Sequence, residues 1–446
     1  MPEIDGADTA WLLAATALVL LMAPGLALFY GGMVRVKSVL NMMMMTFAAI
    51  AIVTVVWVAY GYSLAFTSDE ASGLIGGLDA AGMSGTVSTA YGTIPTPVFA
   101  MFQLTFAIVT TALVSGSIAD RAKFSAWCVF VALWATFVYV PVAHWVFFFD
   151  GGEGGWIGDR LGTLDFAGGT AVEINSGAAG LALALVLGRR LGWRRDPMRP
   201  HNLPLVMLGA GLLWFGWFGF NAGSALAANV QAGLALMNTQ IAACTAIVGW
   251  LAVERVRDGH FTSFGAASGA VAGLVAITPS CGSLTPTGAA AIGATAGVVC
   301  SMAVAVKYRL GYDDSLDVVG VHLIGGIVGT LGIGLLASAE ATGILTADPT
   351  DGIDGLFYGG GLDQLRKQAI AAGAVLAYSF VMTFVLGWLV HKVMGFRVSA
   401  EDEVAGVDMV LHAETAYELG AATAAHTRVA VSSGSTTSAH PPDPRS

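Results

Sequence analysis

The sequence predicts an all-α polytopic membrane protein, and three observations carry that expectation. Of the 446 residues, 56% are hydrophobic and only 11% are charged, where soluble domains run at about a quarter charged. The apolar residues gather into stretches of about 20, the length a helix needs to cross a bilayer. The loops between those stretches alternate between basic and acidic character, as loops on opposite sides of a membrane do.

Taken in order, the apolar stretches place helices near 11–33, 39–66, 96–118, 124–147, 166–188, 202–225, 231–253, 262–278, 287–308, 317–338 and 369–393. That makes eleven transmembrane helices, of which 262–278 is the shortest. The opening MPEIDGADTAW is acidic. It lacks the basic start of a cleavable signal, so the first stretch is expected to remain as a span. Basic residues follow the odd-numbered spans: Arg35 and Lys37, then Arg121 and Lys123, then Arg189, Arg190, Arg194, Arg195 and Arg199. Arg255 and Arg257, Lys307 and Arg309, Lys392 and Arg397 continue the series. The alternate loops hold only Arg160, Arg366 and Lys367, and carry Asp69, Glu70, Asp150, Glu153 and Asp159 instead. Cytoplasmic loops collect Lys and Arg, so the N-terminus is expected outside and the C-terminus in the cytoplasm.

Eleven spans divide into five, five and one. The repeats run over about 11–190 and 200–340, and the second must insert upside down. Matching features fall at corresponding places. The fifth span (DFAGGTAVEINSG) and the tenth (DVVGVHLIGG) both run from an aspartate through glycine to an ionisable residue, and the first and sixth both end in aromatic-glycine clusters. The 58 glycines suit such a bundle, because small residues let membrane helices approach closely.

Several function classes are set aside. The net charge is −10 and no basic patch is interleaved with aromatics, so nothing points to nucleic acid. Cys128, Cys244, Cys281 and Cys300 form no CxxC pair and read as small packing residues, without a metal or cofactor. HExxH, GxSxG and Walker A patterns are absent, so enzyme chemistry is unsupported.

The chemistry concentrates on Glu173 and His322, one in each of two symmetry-related spans. Ionisable groups inside membrane spans are costly and normally face a cavity and a partner. A carboxyl and an imidazole side by side can share one proton, which suits a relay at the midplane. Asp165 and Asp317 stand at the starts of the fifth and tenth spans. Each reads either as a helix cap or as a negative charge at a pore mouth. Aromatics such as Phe102, Phe106, Phe147, Trp214, Trp217 and Phe220 crowd the span ends, where belt and packing roles are common and a few rings can gate a pore or hold a cation.

From Trp11 to Tyr417 the chain resembles the ammonium transporter (Amt/Mep/Rh) family, and its bacterial Amt members closely. PGLALFYGGMVRVKSVLNMM, FQLTFAIVTTALVSGSIADR, LDFAGGTAVEINSG, GWFGFNAGSA, GAASGAVAGLVAITPSCG and DDSLDVVGVHLIGGIVGT carry the resemblance. It implies eleven helices in an inverted 5+5 arrangement, a homotrimer with one pore per subunit, and uptake of ammonium or methylammonium across the plasma membrane. It further implies an outer recruitment site at Ser224 with the faces of Phe147 and Phe106. A gate of Phe106 and Phe220 would follow, with Trp217 lining the pore and Asp165 supporting the recruitment site. Most members have tryptophan at the Phe147 position. The family's two pore histidines correspond to Glu173 and His322, and glutamate at the first is a departure that some fungal members share. An ammonium sensor and a neutral ammonia channel are the alternative activities.

Residues 1–10 are expected outside the cell, 11–394 in the membrane domain and 395–446 in a cytoplasmic tail that is disordered from about 428. By the resemblance, the stretch 395–417 is where a trimeric PII-type regulatory protein would dock.

Overall fold

The computed structural model describes residues 3–345 and 352–417, so the low-complexity end from about 428 lies outside the described residues. Eleven helices form the membrane body: α1 Gly6–Met33, α2 Val39–Phe66, α3 Thr96–Ile118, α4 Phe124–Phe147, α5 Gly169–Leu187, α6 Leu203–Gly223, α7 Val230–Asp258, α8 Ser263–Ile277, α9 Pro286–Leu310, α10 Val319–Leu336 and α11 Asp363–Met394. Ten are long and apolar enough to cross a bilayer, and α8 is shorter at 15 residues. It sits where the sequence places its shortest span. Its short length is tolerated because it is buried among α6, α7 and α9, and irregular backbone at membrane depth survives only when covered by protein.

The helix starts follow local chemistry. Asp5 accepts hydrogen bonds from the Ala7 and Asp8 amides and opens α1. Asn202, Asn229, Thr262 and Thr285 cap α6, α7, α8 and α9 in the same way, satisfying amides that have no partner within the helix. Large apolar side chains such as Leu13, Val55, Phe215, Val248 and Val381 remain exposed, the expected outer surface of a bundle that lipid surrounds.

Glycines set the helix spacing. A Cβ on Gly209 would lie 2.3 Å from the Phe29 amide nitrogen, and one on Gly219 2.5 Å from Leu18 Cβ. Through them α6 lies tightly on α1, its counterpart in the proposed repeat. Gly293 and Gly297 bring α9 equally close to α7. Lacking a hydrophobic drive between helices, membrane bundles gain their stability from such contact.

α5 and α10 cross in the interior, and each opens with a π-helical turn, Gly169–Ile174 and Val319–Leu323. Beyond α11 the tail forms α12 Ala400–Ala405 and α13 Val407–His412. The Asp408 carboxylate accepts from the Leu40 and Asn41 amides at the start of α2, which docks the tail onto the face that carries the basic loops.

Candidate transport pore

Glu173 and His322 meet in the core. Each lies in the opening π-helical turn of its helix, and His322 Nδ1 is 2.7 Å from Glu173 Oε2. A π turn re-aims one side chain out of the helical register and recurs at functional sites. Glu173 is fully buried and His322 nearly so. Glu173 Oε1 has no hydrogen-bond partner among the described residues. The close crossing depends on glycine: a Cβ on Gly177 would lie 2.4 Å from the Leu323 amide nitrogen, and one on Gly326 2.9 Å from Glu173 Cβ.

The start of α5 is held by Asp165. Its carboxylate accepts from the amides of Gly168 at 2.9 Å, Gly169 at 2.6 Å and Thr170 at 2.8 Å, and from the Thr170 hydroxyl. Of the two sequence readings, the geometry here is that of a cap. At α10 the expectation needs correcting. The capping residue is Asp314, whose Oδ2 accepts the Val319 amide at 2.7 Å. Asp165 and Asp314 each hold an amide five residues on, Thr170 and Val319, and stand eight residues ahead of Glu173 and His322 respectively. The repeat therefore aligns Asp165 with Asp314, three residues earlier than the Asp317 that the sequence comparison matched. Asp317 instead turns aside through a left-handed backbone conformation, φ 65°, and pairs with Lys307 Nζ at 2.5 Å. Burial pushes the Asp314 carboxyl up to about 6, against the pull of Lys307.

On the side of the acidic loops, a cavity of about 470 Å³ opens to the surface, lined by Phe106, Phe147, Asp165 and Ser224 among others. The Ser224 hydroxyl donates to the Phe220 carbonyl at 2.9 Å, which leaves its oxygen lone pairs to accept an N–H donor. The rings of Phe106 and Phe147 are 6.5 Å apart and nearly perpendicular. Phe106, on the cavity wall, stacks on Phe220 at 4.1 Å, and both rings are buried. Trp217 packs against Phe220 at 5.6 Å, its indole N–H donating to Thr278 Oγ1 at 2.8 Å.

On the side of the basic loops, His322 lines a narrow cleft with Tyr30, Ser268 and Asp317. That cleft shares Met33, Leu316 and Asp317 with a wider cavity of about 220 Å³ lined by Arg190, Trp193 and Lys307. Tyr30, Ser268, Lys307 and Asp314 were not singled out from the sequence. The signal for the last was three aspartates within DDSLD, where apolar flanks make any carboxylate informative.

The sequence profile of the Ammonium Transporter Family matches residues 10–417. The chain is 56% identical over 439 residues to an ammonium transporter of Mycobacterium tuberculosis, covering 94% of this chain and 91% of the relative. The crystal structure of Saccharomyces cerevisiae Mep2 superposes with a TM-score of 0.81 at 35% identity, over 90% of this chain and 89% of that one. A solved Sensor Amt Protein gives a TM-score of 0.82 at 28% identity, over 91% and 98%. A helical bundle with a stacked pair of phenylalanines and a buried ionisable pair thus coincides with a match along nearly the whole chain, and the protein belongs to the ammonium transporter family, whose members are multi-pass membrane proteins.

Proposed function

We propose that this transporter takes up ammonium by splitting it. Ammonium binds in the outer cavity against Ser224 and the faces of Phe147 and Phe106. It gives up its proton near the Phe106–Phe220 gate, ammonia crosses, and the proton follows through Glu173 and His322. Carrying the bare cation through an apolar constriction would cost several kcal/mol or more. The division also rejects K⁺, which has no proton to lose. The observation that carries this reading is the 2.7 Å contact of the buried Glu173 with His322, in a chain whose Phe106 and Phe220 rings stack at 4.1 Å.

In this reading Asp165 and Trp217 hold the outer site in shape. The N-terminus lies outside, 11–394 is the membrane domain, and the tail from 395 is cytoplasmic. Three copies form a homotrimer with a pore in each, and the tail face offers a dock for a PII-type protein.

Ammonium-evoked current in proteoliposomes tests the relay. The wild-type chain is expected to move charge, and Glu173→Gln to lower that current by about tenfold or more. Glu173→His is expected to shift its pH profile, because free carboxyl and imidazole groups titrate about two pH units apart. Absence of wild-type current alongside intact ammonia permeation would favour a neutral channel and overturn the relay. A K⁺ gradient in the same vesicles reads whether the carboxylate admits whole cations. The likeness to a Sensor Amt Protein favours a second reading, an ammonium sensor, which predicts saturable ammonium binding with neither current nor permeation.

A further inference from the structure

We infer that Asp317 is the group through which the proton leaves the pore, receiving it from His322 and releasing it to the side of the basic loops. This rests on the relay reading and extends it past the central pair.

The inner cleft places His322 and Asp317 on the walls of one space of about 10 Å³, close to the volume that a single water-sized molecule needs. Asp317 also lines the cavity of about 220 Å³ and a second of about 320 Å³ beside Arg257 and Tyr308, and Lys307 lines both. Its side chain is 21% exposed, so it reaches from the cleft to solvent. With His322 Nδ1 committed to Glu173, the other ring nitrogen is the one left to pass a proton onward.

The neighbouring groups are otherwise engaged. The Tyr30 hydroxyl donates to the Leu113 carbonyl at 3.2 Å. Ser268 carries no charge to exchange. Asp314 is 1% exposed, its Oδ2 is taken by the α10 cap, and although its Oδ1 has no hydrogen-bond partner among the described residues it does not line the cleft. That cap also removes helix capping as the explanation for Asp317, since Asp314 already holds the Val319 amide. A non-glycine residue at φ 65° is held there against a conformational cost, and such outliers cluster at working sites. Lys307 Nζ balances the Asp317 charge and is itself anchored to the Asp314 carbonyl at 2.8 Å.

The step balances without any further reactant. A proton from ammonium passes to the Glu173–His322 pair, then from the imidazolium N–H to an Asp317 carboxylate oxygen, then from that carboxyl to solvent. Ammonia arrives separately and takes a proton from solution.

Asp317→Asn and Asp317→Glu in the full-length chain, reconstituted in proteoliposomes, test this. Asp317→Asn is expected to lower ammonium-evoked current by about tenfold or more while ammonia permeation, read with a lumenal pH dye, stays within about twofold. Asp317→Glu restores current, with a larger H₂O/D₂O current ratio than wild type because the carboxyl is displaced. Unchanged current in Asp317→Asn overturns the assignment. So does a parallel loss of current and permeation in both variants, which marks a structural ion pair. Should Asp317→Asn fail to assemble, Asp317→Glu alone decides: an unchanged current and isotope ratio overturns the proposal. Wild-type current that persists in Asp317→Asn rejects Asp317 only, whereas a wild-type chain without current rejects the relay and this exit together.

Discussion

In the proposed outer site, Phe147 is the side chain expected to set how strongly a cation is held. Its ring stands at the wall of the cavity that Ser224 also lines, 6.5 Å from the Phe106 ring. A cation is attracted to a ring face by its quadrupole, and tryptophan offers the deepest one. Phe147→Trp is therefore expected to lower the ammonium concentration for half-maximal current by about two- to fivefold, equivalent to about 0.5–1 kcal/mol. The concentration dependence of current measures it, and an unchanged midpoint would show that ammonium does not rest on this face. Glu173 illustrates a different residue-scale constraint. It is fully buried, with one carboxylate oxygen on the His322 imidazole and the other without a partner among the described residues.

At the scale of elements, the pore pair is made by how α5 and α10 begin and how closely they cross. Each helix is started by an aspartate cap and opens with a π turn that carries the ionisable residue. Gly177 is the tightest point of the crossing, where an added Cβ meets the Leu323 backbone at 2.4 and 2.6 Å. Backbone cannot swing away as a flexible side chain can. Gly177→Ala should thus separate the helices, cost about 1–3 kcal/mol of stability and cut transport by more than about tenfold. Gly373→Ala in α11 is the control, because nothing lies within 4 Å of its added Cβ. The thermal midpoints and currents of the two variants, measured together, separate a local pore effect from a general response to alanine.

Across the whole molecule, a buried charge network ties the pore helices to the tail. Arg190, just after α5, bonds Asp313 through Nη2 at 2.8 Å and Nε at 2.9 Å, and Asp120 through Nη1 at 3.0 Å. Asp313 precedes α10. Arg35 bridges Asp120 and Glu403, and Arg397 also pairs with Glu403 ahead of the docked α13. Burial works against ionisation of Asp313, but Arg190 outweighs it and holds the carboxyl below its ordinary 3.8. The stability from that pairing is present above 3.8 and lost as the pH falls through the lower folded value. Arg190→Ala would leave Asp313 buried without its paired cation and Asp120 with Arg35 alone, a loss of about 3–5 kcal/mol. Thermal unfolding in detergent at neutral pH should show it, with the gap to wild type narrowing in acid. Equal midpoints at neutral pH would mean that Arg35 and Arg121 compensate.

Much was legible in the sequence because its signals are local. Hydropathy over about 20 residues finds a span whatever surrounds it, so the helix positions and the membrane class followed from composition and order. The cost of a charge in hydrocarbon singled out Glu173 and His322 without reference to any neighbour. Tertiary structure decided what depends on contacts between distant segments. It gave the cap of α10 to Asp314 and sent Asp317 to Lys307, a choice that three nearby aspartates leave open until an amide and an ammonium are placed beside them. It also stacked Phe106 on Phe220 and let Gly177 bring α10 within reach of α5. Such distances belong to the packing of whole helices, and no single stretch of sequence contains both ends of them.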